Sequence, residues 1–404
     1  MPRIAFVRGG SGMKAPWSRT GGAATLVLWL LFASGLALRL AMAHTGYGST
    51  DVKRWLFFSA LIEKGAYRDL YFNENPLWNH PAPVILFLEL VRWLSRGLEL
   101  PFHVALKLLP ALADAGTIVL VGILGAHRFG ARNANLLAAS YAFSPAAVLV
   151  SGFHGNTDAV MTFFLLSSVA WFGRSRGLSA LFFGAALSTK YTPLLLVPLF
   201  LFQSRDLKEA LKFLVIALSP VVLLSIPFVH SFPLRAAANI ASYGSIPGAW
   251  GLWHIRDAAE MGWLGAFGKT AMMRCVDGLI AWSKPLIVAG VVLLSAVGRR
   301  LHIGLVDGVA LAMGTFFAFT PGFGVQYVVW LLPFILLASP RPGTAFNFFV
   351  SLFLVNAFHE GLRNDAGMIN PEVRVTVFAL LAWASVVVFL VSALVRAIRT
   401  RPAG

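Results

Sequence analysis

Acidic residues are scarce in this 404-residue chain, where 17 Asp and Glu stand against 33 Lys and Arg. Charge of either sign is sparse, at 12% of residues, while 58% are hydrophobic. That balance excludes a soluble globular protein, which must clothe its surface with polar groups. The single cysteine, Cys275, excludes an intramolecular disulfide framework and leaves the redox compartment unread. No His/Cys cluster has the spacing of a metal site, so metal ligands are assigned to none of the residues. A P-loop and a G-x-G-x-x-G turn are also missing, and no soluble domain large enough for a nucleotide-binding Rossmann fold is present.

Apolar runs fill the chain instead, and several approach or exceed the roughly 20 residues needed to cross a bilayer. The fold class expected is an all-α polytopic membrane protein, a single transmembrane domain over 1–404. The net charge of +16 does not require nucleic acid as a partner, because Lys and Arg accumulate in the cytoplasmic loops of membrane proteins. Arg3, Arg8, Lys14 and Arg19 precede a run from Ala23 to Ala43. Ala41-Met42-Ala43 imitates a signal-peptidase site, but the run is too long for a typical h-region. It reads as an uncleaved first span that leaves the basic N-terminus, 1–22, in the cytoplasm.

Residues 44–102 form a mixed-polarity external loop. Its apolar piece PVILFLELVRWLS (83–95) is short and carries Glu89 and Arg92, so it reads as an interfacial amphipathic segment. In that topology roughly half of the Lys and Arg fall on one side, as the positive-inside rule requires. The later passes are read at 103–125, 134–150, 157–173, a pair within 177–203, 208–230, 285–298, 304–320, 326–338, 344–358 and 375–396. The sum is about 12 passes with both termini cytoplasmic, including the tail 397–404. The pair within 177–203 is too short for two full spans and is expected to dip in and return around Ser188-Thr189-Lys190-Tyr191. A second external segment, 231–284, carries Trp250, Trp253, Trp263 and Trp282.

One face then gathers YGSTDVKRW (47–55), WNHPAP (78–83), SGFHGNTDAV (151–160), the Lys190 turn, PGFGVQY (321–327) and His359-Glu360. In this order the pieces resemble the GT-C superfamily of integral-membrane glycosyltransferases. An acid just after the first span, Asp51, sits where that superfamily keeps its catalytic carboxylate. WNHPAP looks like its HPPL or YPPL element. AHRFGARNANLLAASYAFSP followed by SGFHGNTDAVMTFFLLSSVAWFGRSR is similar to the bacterial members' basic turn, span, G-x-x-D and span. LSTKYTPLLLVPL matches their LTKxxPLLLLPL element, and YGSIPGAWGLW and TPGFGVQYVVWLLPF resemble late elements of bacterial members related to dolichyl- and GPI-pathway mannosyl- and glucosyltransferases. The resemblance runs from 45 to 340.

It implies a GT-C-like bundle with interfacial helices in the first external loop, and transfer of a hexose, with inversion, from a polyprenyl-phosphate-linked sugar to an acceptor it does not identify. The membrane implied is a bacterial inner membrane, with the site external. Asp51 is then the general base, with capping of the helix VKRWLFF as the alternative. Lys190, Lys53, Arg54 and His80 are candidates for the donor phosphate; His154, Asp158, Gln326 and Tyr327 are candidates for the acceptor or sugar. Each has a plain reading beside it. Lys53 and Arg54 serve equally as headgroup contacts, Lys190 as a snorkelling lysine, and Asp158 as the cap of the span VMTFFLLSSV. His80 and His154 are equally satisfied structural histidines, and Gln326 and Tyr327 aromatic-belt neighbours. Arg39 either reaches phosphate or snorkels, and Asp114 meets a polar partner inside its span.

Many related mannosyltransferases carry a D-x-D pair in this loop. Lys53 takes the second position here, which leaves no cofactor implied and a bound divalent cation in doubt. Two other readings remain open. A transporter or flippase of a lipid-linked sugar or small solute usually shows internal repeats with broken helices in both halves, and only one such element, 177–203, is visible. A non-catalytic scaffold would make Asp51 dispensable.

Overall fold

A computed structural model describes residues 22–72, 78–241, 248, 250–260, 265–363 and 373–399. The basic N-terminus, the last residues of the tail, Trp263 and part of YGSIPGAWGLW lie outside the described residues. The described residues form helices and no strands. In chain order they are α1 (Gly22–Thr45), α2 (Thr50–Glu63), α3 (Tyr67–Phe72), α4 (Val84–Gly97), α5 (Phe102–Phe129), α6 (Ala131–Ala142) and α7 (Pro145–Val148). A π-helical turn, Leu149–His154, leads into α8 (Asp158–Trp171) and α9 (Arg176–Thr189). A 3₁₀ turn, Thr192–Leu196, leads into α10 (Val197–Phe202), followed by α11 (Leu207–Val229), α12 (Pro233–Ala241), α13 (Leu252–Glu260), α14 (Gly265–Ala281) and α15 (Ser283–Arg300). The chain closes with α16 (Leu305–Phe319), a 3₁₀ turn at Val325–Tyr327, α17 (Val328–Ala338), α18 (Pro340–Arg363) and α19 (Val373–Arg399).

Four described helices are long and apolar enough to cross a membrane: α1, α5, α11 and Val377–Arg396 of α19. The count reaches six if Ala131–Ala142 with Pro145–His154, bent by 48°, and Thr270–Ala281 with Ser283–Arg300, bent by 66°, each make one span. Several other helices coincide with runs read as passes but are shorter. The 14 residues of α8 rise only about 21 Å at the helical pitch, against a hydrocarbon core of about 30 Å.

The most apolar helix, α17, sits at the centre, with every residue from Val328 to Leu337 buried. It packs against α16, α18 and α8. In lipid such packing rests on close van der Waals fit and interhelical hydrogen bonds rather than on water exclusion. The loop predicted to be interfacial folds as α2, α3 and α4, which pack on one another around Trp55, Trp78, Ile85 and Leu88. On α4 the opposite face exposes Leu86, Leu90 and Trp93 at helical spacing.

The two ends of the bundle differ in chemistry. One end joins distant basic turns to the few acids near them, with Arg128 bound to Asp307 at 2.7 Å and Arg176 to Glu209 at 3.2 Å. Tracing α1, α5 and α9 from that end leads to Tyr47, Lys107 and Lys190 at the other.

The interior between them is not wholly apolar. Arg39 on α1 and Asp114 on α5, both fully buried, form an ion pair of 2.7 Å. Tyr141 and Ser151 also donate to Asp114, and Arg39 reaches the carbonyls of Gly35 and Ala142. Asp114 thus has the polar partner expected of it. Arg39 neither snorkels nor faces a phosphate, because the partner buried beside it satisfies its charge within the bundle.

Candidate functional site

The site is built on the turn that follows α7. A π-helix carries one residue more per turn than the α-helix, and here it spans Leu149–His154. Three contacts hold it. Ser151 Oγ donates to Asp114 at 2.8 Å from below, and Ser49 Oγ donates to the His154 carbonyl at 2.9 Å from above. Gly152 lies against α1, where a β-carbon would come within 2.8 Å of the Arg39 carbonyl oxygen. Gly152→Ala is therefore expected to destabilise the protein by about 1–3 kcal/mol, the usual cost of overpacking against backbone. A thermal-unfolding midpoint equal to that of the wild type would contradict this seating.

Tyr47-Gly48-Ser49 runs over the same turn. Gly48 has φ +114°, which L side chains rarely adopt. Its absent β-carbon would lie 2.8 Å from the Phe153 carbonyl. Lys107, fully buried on α5, ties this segment down by donating to the carbonyls of Gly46 and Tyr47. These contacts decide where α2 begins.

Ser49 is the N-cap of α2, accepting from the Asp51 amide, so Asp51 is not the cap. Its carboxylate is in the first helical turn, where the unpaired amides favour a negative charge. Asn156 Nδ2 donates to Oδ2 at 2.7 Å, and His154 Nε2 lies 3.2 Å from the same oxygen. His154 is buried, and in this ring orientation neither of its nitrogens makes an aligned hydrogen bond among the described residues. Arg54, largely exposed, reaches Oδ1 at 3.4 Å. Burial pushes the Asp51 carboxyl up, but His154, Asn156 and Arg54 outweigh it and hold the group well below the ordinary carboxylate range.

Asp158 heads α8 but its side chain caps nothing. Fully buried, it pairs with Lys190 at 2.9 Å and accepts from Trp330 Nε1 at 2.7 Å. Its second oxygen is buried without a hydrogen-bond partner among the described residues. Lys190 ends α9 in an extended conformation. Its ammonium also lies 5.5 Å from the Tyr327 ring centroid and 5.6 Å from that of Trp330, two rings stacked 3.9 Å apart. A lysine so enclosed is not snorkelling.

His154 and Asn156 serve Asp51, and Asp158 serves Lys190. Asn156 and Asp158 are two residues apart, so their Cα atoms are separated by at most about 7 Å. One short segment therefore brings the acid after the first span and the lysine of the broken element to a common place. His80 lies beside them, buried 4.5 Å from the Trp55 ring and 5.3 Å from that of Trp78. Burial pushes its pKa down to about 3, helped by the charge of Lys190 and opposed by that of Asp51. Both charges thus act on one imidazole, which stays neutral near pH 7.

Other expected residues are less engaged. Lys53 is exposed on α2, and Gln326 is half-buried beside Tyr327. His359 is exposed on α18. Asn156, Lys107, Ser49 and Trp330 were not singled out from sequence. Asn156 lies inside a conspicuously polar run, but only the fold reveals its partner. Among the described residues no three His, Cys, Asp or Glu side chains are grouped as metal ligands. No family model matches the chain, and no curated protein matches it either.

Proposed function

We propose that the chain is a membrane glycosyltransferase of the GT-C type that takes a hexose, mannose-like or glucose-like, from a polyprenyl-phosphate carrier. The observation that carries this reading is the segment His154–Asp158, which binds an ionised carboxylate through Asn156 and a buried ammonium through Asp158. A base and a cation held that close are the two groups an inverting transfer from a lipid phosphate needs. In this reading the protein crosses the membrane about 12 times, the short helices supplying passes together with their neighbours. Both termini are cytoplasmic, and the site faces outward from a bacterial inner membrane.

The acceptor oxygen attacks the anomeric carbon and gives its proton to Asp51, while the bond from that carbon to the phosphate oxygen breaks. The departing phosphate keeps the electron pair and moves toward Lys190, with His80 supplying a neutral imidazole and Lys53 and Arg54 a basic rim. The unpartnered oxygen of Asp158 takes a hydroxyl of the sugar, and half-buried Gln326, next to buried Tyr327, offers a second polar contact to the hexose. The donors that keep Asp51 ionised also weaken it as a base in the empty site. A substrate hydroxyl that draws Asn156 or Arg54 away restores its proton affinity.

The test is to incubate the purified protein with short-chain polyprenyl phosphates bearing different hexoses and to follow retained donor and released polyprenyl phosphate. One hexose carrier is expected to be retained and consumed. If no carrier is bound and the reconstituted protein instead moves solute across vesicles, the transporter reading takes its place.

A further inference from the structure

The basic end of the bundle carries a feature that the chemistry at the other end does not use. An open cavity of 370 Å³ lies there, lined by Leu201, Phe202, Arg205, Leu207, Ala210 and Arg299. Asp206 also lines it, but one of its carboxylate oxygens is engaged by the Glu209 amide at 2.8 Å. Arg205 has no carboxylate partner among the described residues, since nearby Glu209 is held by Arg176. Arg299 is fixed without an acid, donating to the carbonyls of Phe202 and Ser204 at 2.7 and 2.9 Å. Two guanidiniums and one carboxylate therefore line the space, which leaves it with an excess of positive charge.

Between α11 and α15 the surface beside the cavity is apolar. The floor is the Thr192–Leu196 turn and α10, which packs between α11 and α15. Leu194 and Phe202 on that floor are 46% and 37% exposed. On one wall Leu207, Leu211, Val215, Val222 and Ile226 form an exposed stripe down α11. On the other, Val288, Val292, Leu293 and Val297 do the same on α15. A cationic pocket beside exposed apolar stripes matches the two halves of one amphiphile. We infer that this groove binds an anionic phospholipid, its phosphate between Arg205 and Arg299 and an acyl chain between α11 and α15.

The binding is measured by native mass spectrometry of the purified chain with added phosphatidylglycerol or phosphatidylcholine. Each arginine near a lipid phosphate contributes about fivefold in affinity, so phosphatidylglycerol is expected to be favoured about 25-fold. Arg205→Gln, which removes no contact within the protein, should weaken phosphatidylglycerol about fivefold, and adding Arg299→Gln should remove most of the preference. Arg341→Gln, on the first turn of α18, should change nothing. Equal retention of the two lipids, or an unaltered preference in Arg205→Gln, overturns the inference. Displacement by millimolar inorganic phosphate assigns the pocket to a free anion instead, and stronger retention of polyprenyl phosphate assigns the groove to that chain; either result also overturns it.

Discussion

Asp51→Asn is expected to lower the rate of sugar transfer by two to four orders of magnitude, the usual contribution of a positioned base. The amide keeps the size of the side chain and its place in the first turn of α2, so retention of the donor should change little. That split separates loss of proton transfer from loss of binding. Full activity in the variant would remove Asp51 from the chemistry. The same substitution has a signature in unfolding. Asp51 titrates lower folded than at its ordinary value of 3.8, so the native state binds fewer protons than the unfolded chain in that range. Its contribution to stability is then complete above about pH 5 and is lost as pH falls through the ordinary value toward the folded one. The wild type's advantage over Asp51→Asn should accordingly be flat from pH 7 to about pH 5 and shrink below about pH 4. An advantage that grows on acidification would contradict the contacts from His154 and Asn156.

Removing one member of the buried pair between α1 and α5 should have the largest effect on stability. Arg39→Met leaves the buried carboxyl of Asp114 without its counter-charge, and Asp114→Leu strands the guanidinium. Each is expected to cost about 3–5 kcal/mol, the usual penalty for an orphaned buried charge. The double substitution removes both charges and should recover much of that loss, because well-packed apolar replacements of buried ion pairs are often close to neutral. Recovery stops short of complete, since Tyr141 and Ser151 lose the acceptor they share. Unfolding in mild detergent across the four proteins gives the coupling energy directly. Single variants that each cost less than about 1 kcal/mol would mean that water or rearrangement satisfies the charges. The pair also matters to the site, because Asp114 is what Ser151 holds at the base of the π-turn.

The runs of apolar residues foretold the helices closely. The segment 103–125 became Phe102–Phe129, 208–230 became Leu207–Val229, and 83–95 became the short helix Val84–Gly97. Hydropathy is a local property, and so is the helix it reports. Side-chain partners are not local. Arg39 finds Asp114 75 residues away, and Arg128 finds Asp307 179 residues away. No spacing rule connects such positions. The π-turn was equally hidden, because one additional residue in a turn leaves the composition of an apolar run unchanged. Gathering the polar motifs on one face did anticipate that Asp51, His154, Asp158 and Lys190 belong together, yet it missed Asn156, which binds Asp51 directly. The capping role weighed for Asp51 failed for a physical reason: Ser49 stands one residue before α2 and reaches its amides first.

The wide turn before Gly155 also governs which changes of length the chain can absorb. Deleting one residue there would let the backbone relax into an ordinary helix and rotate everything beyond it by about 100°. His154 and Asn156 would then point elsewhere, although every chemical group in the protein had been kept. A homologue shortened at this point would preserve its composition and its membrane-crossing pattern while losing the grip on its acid.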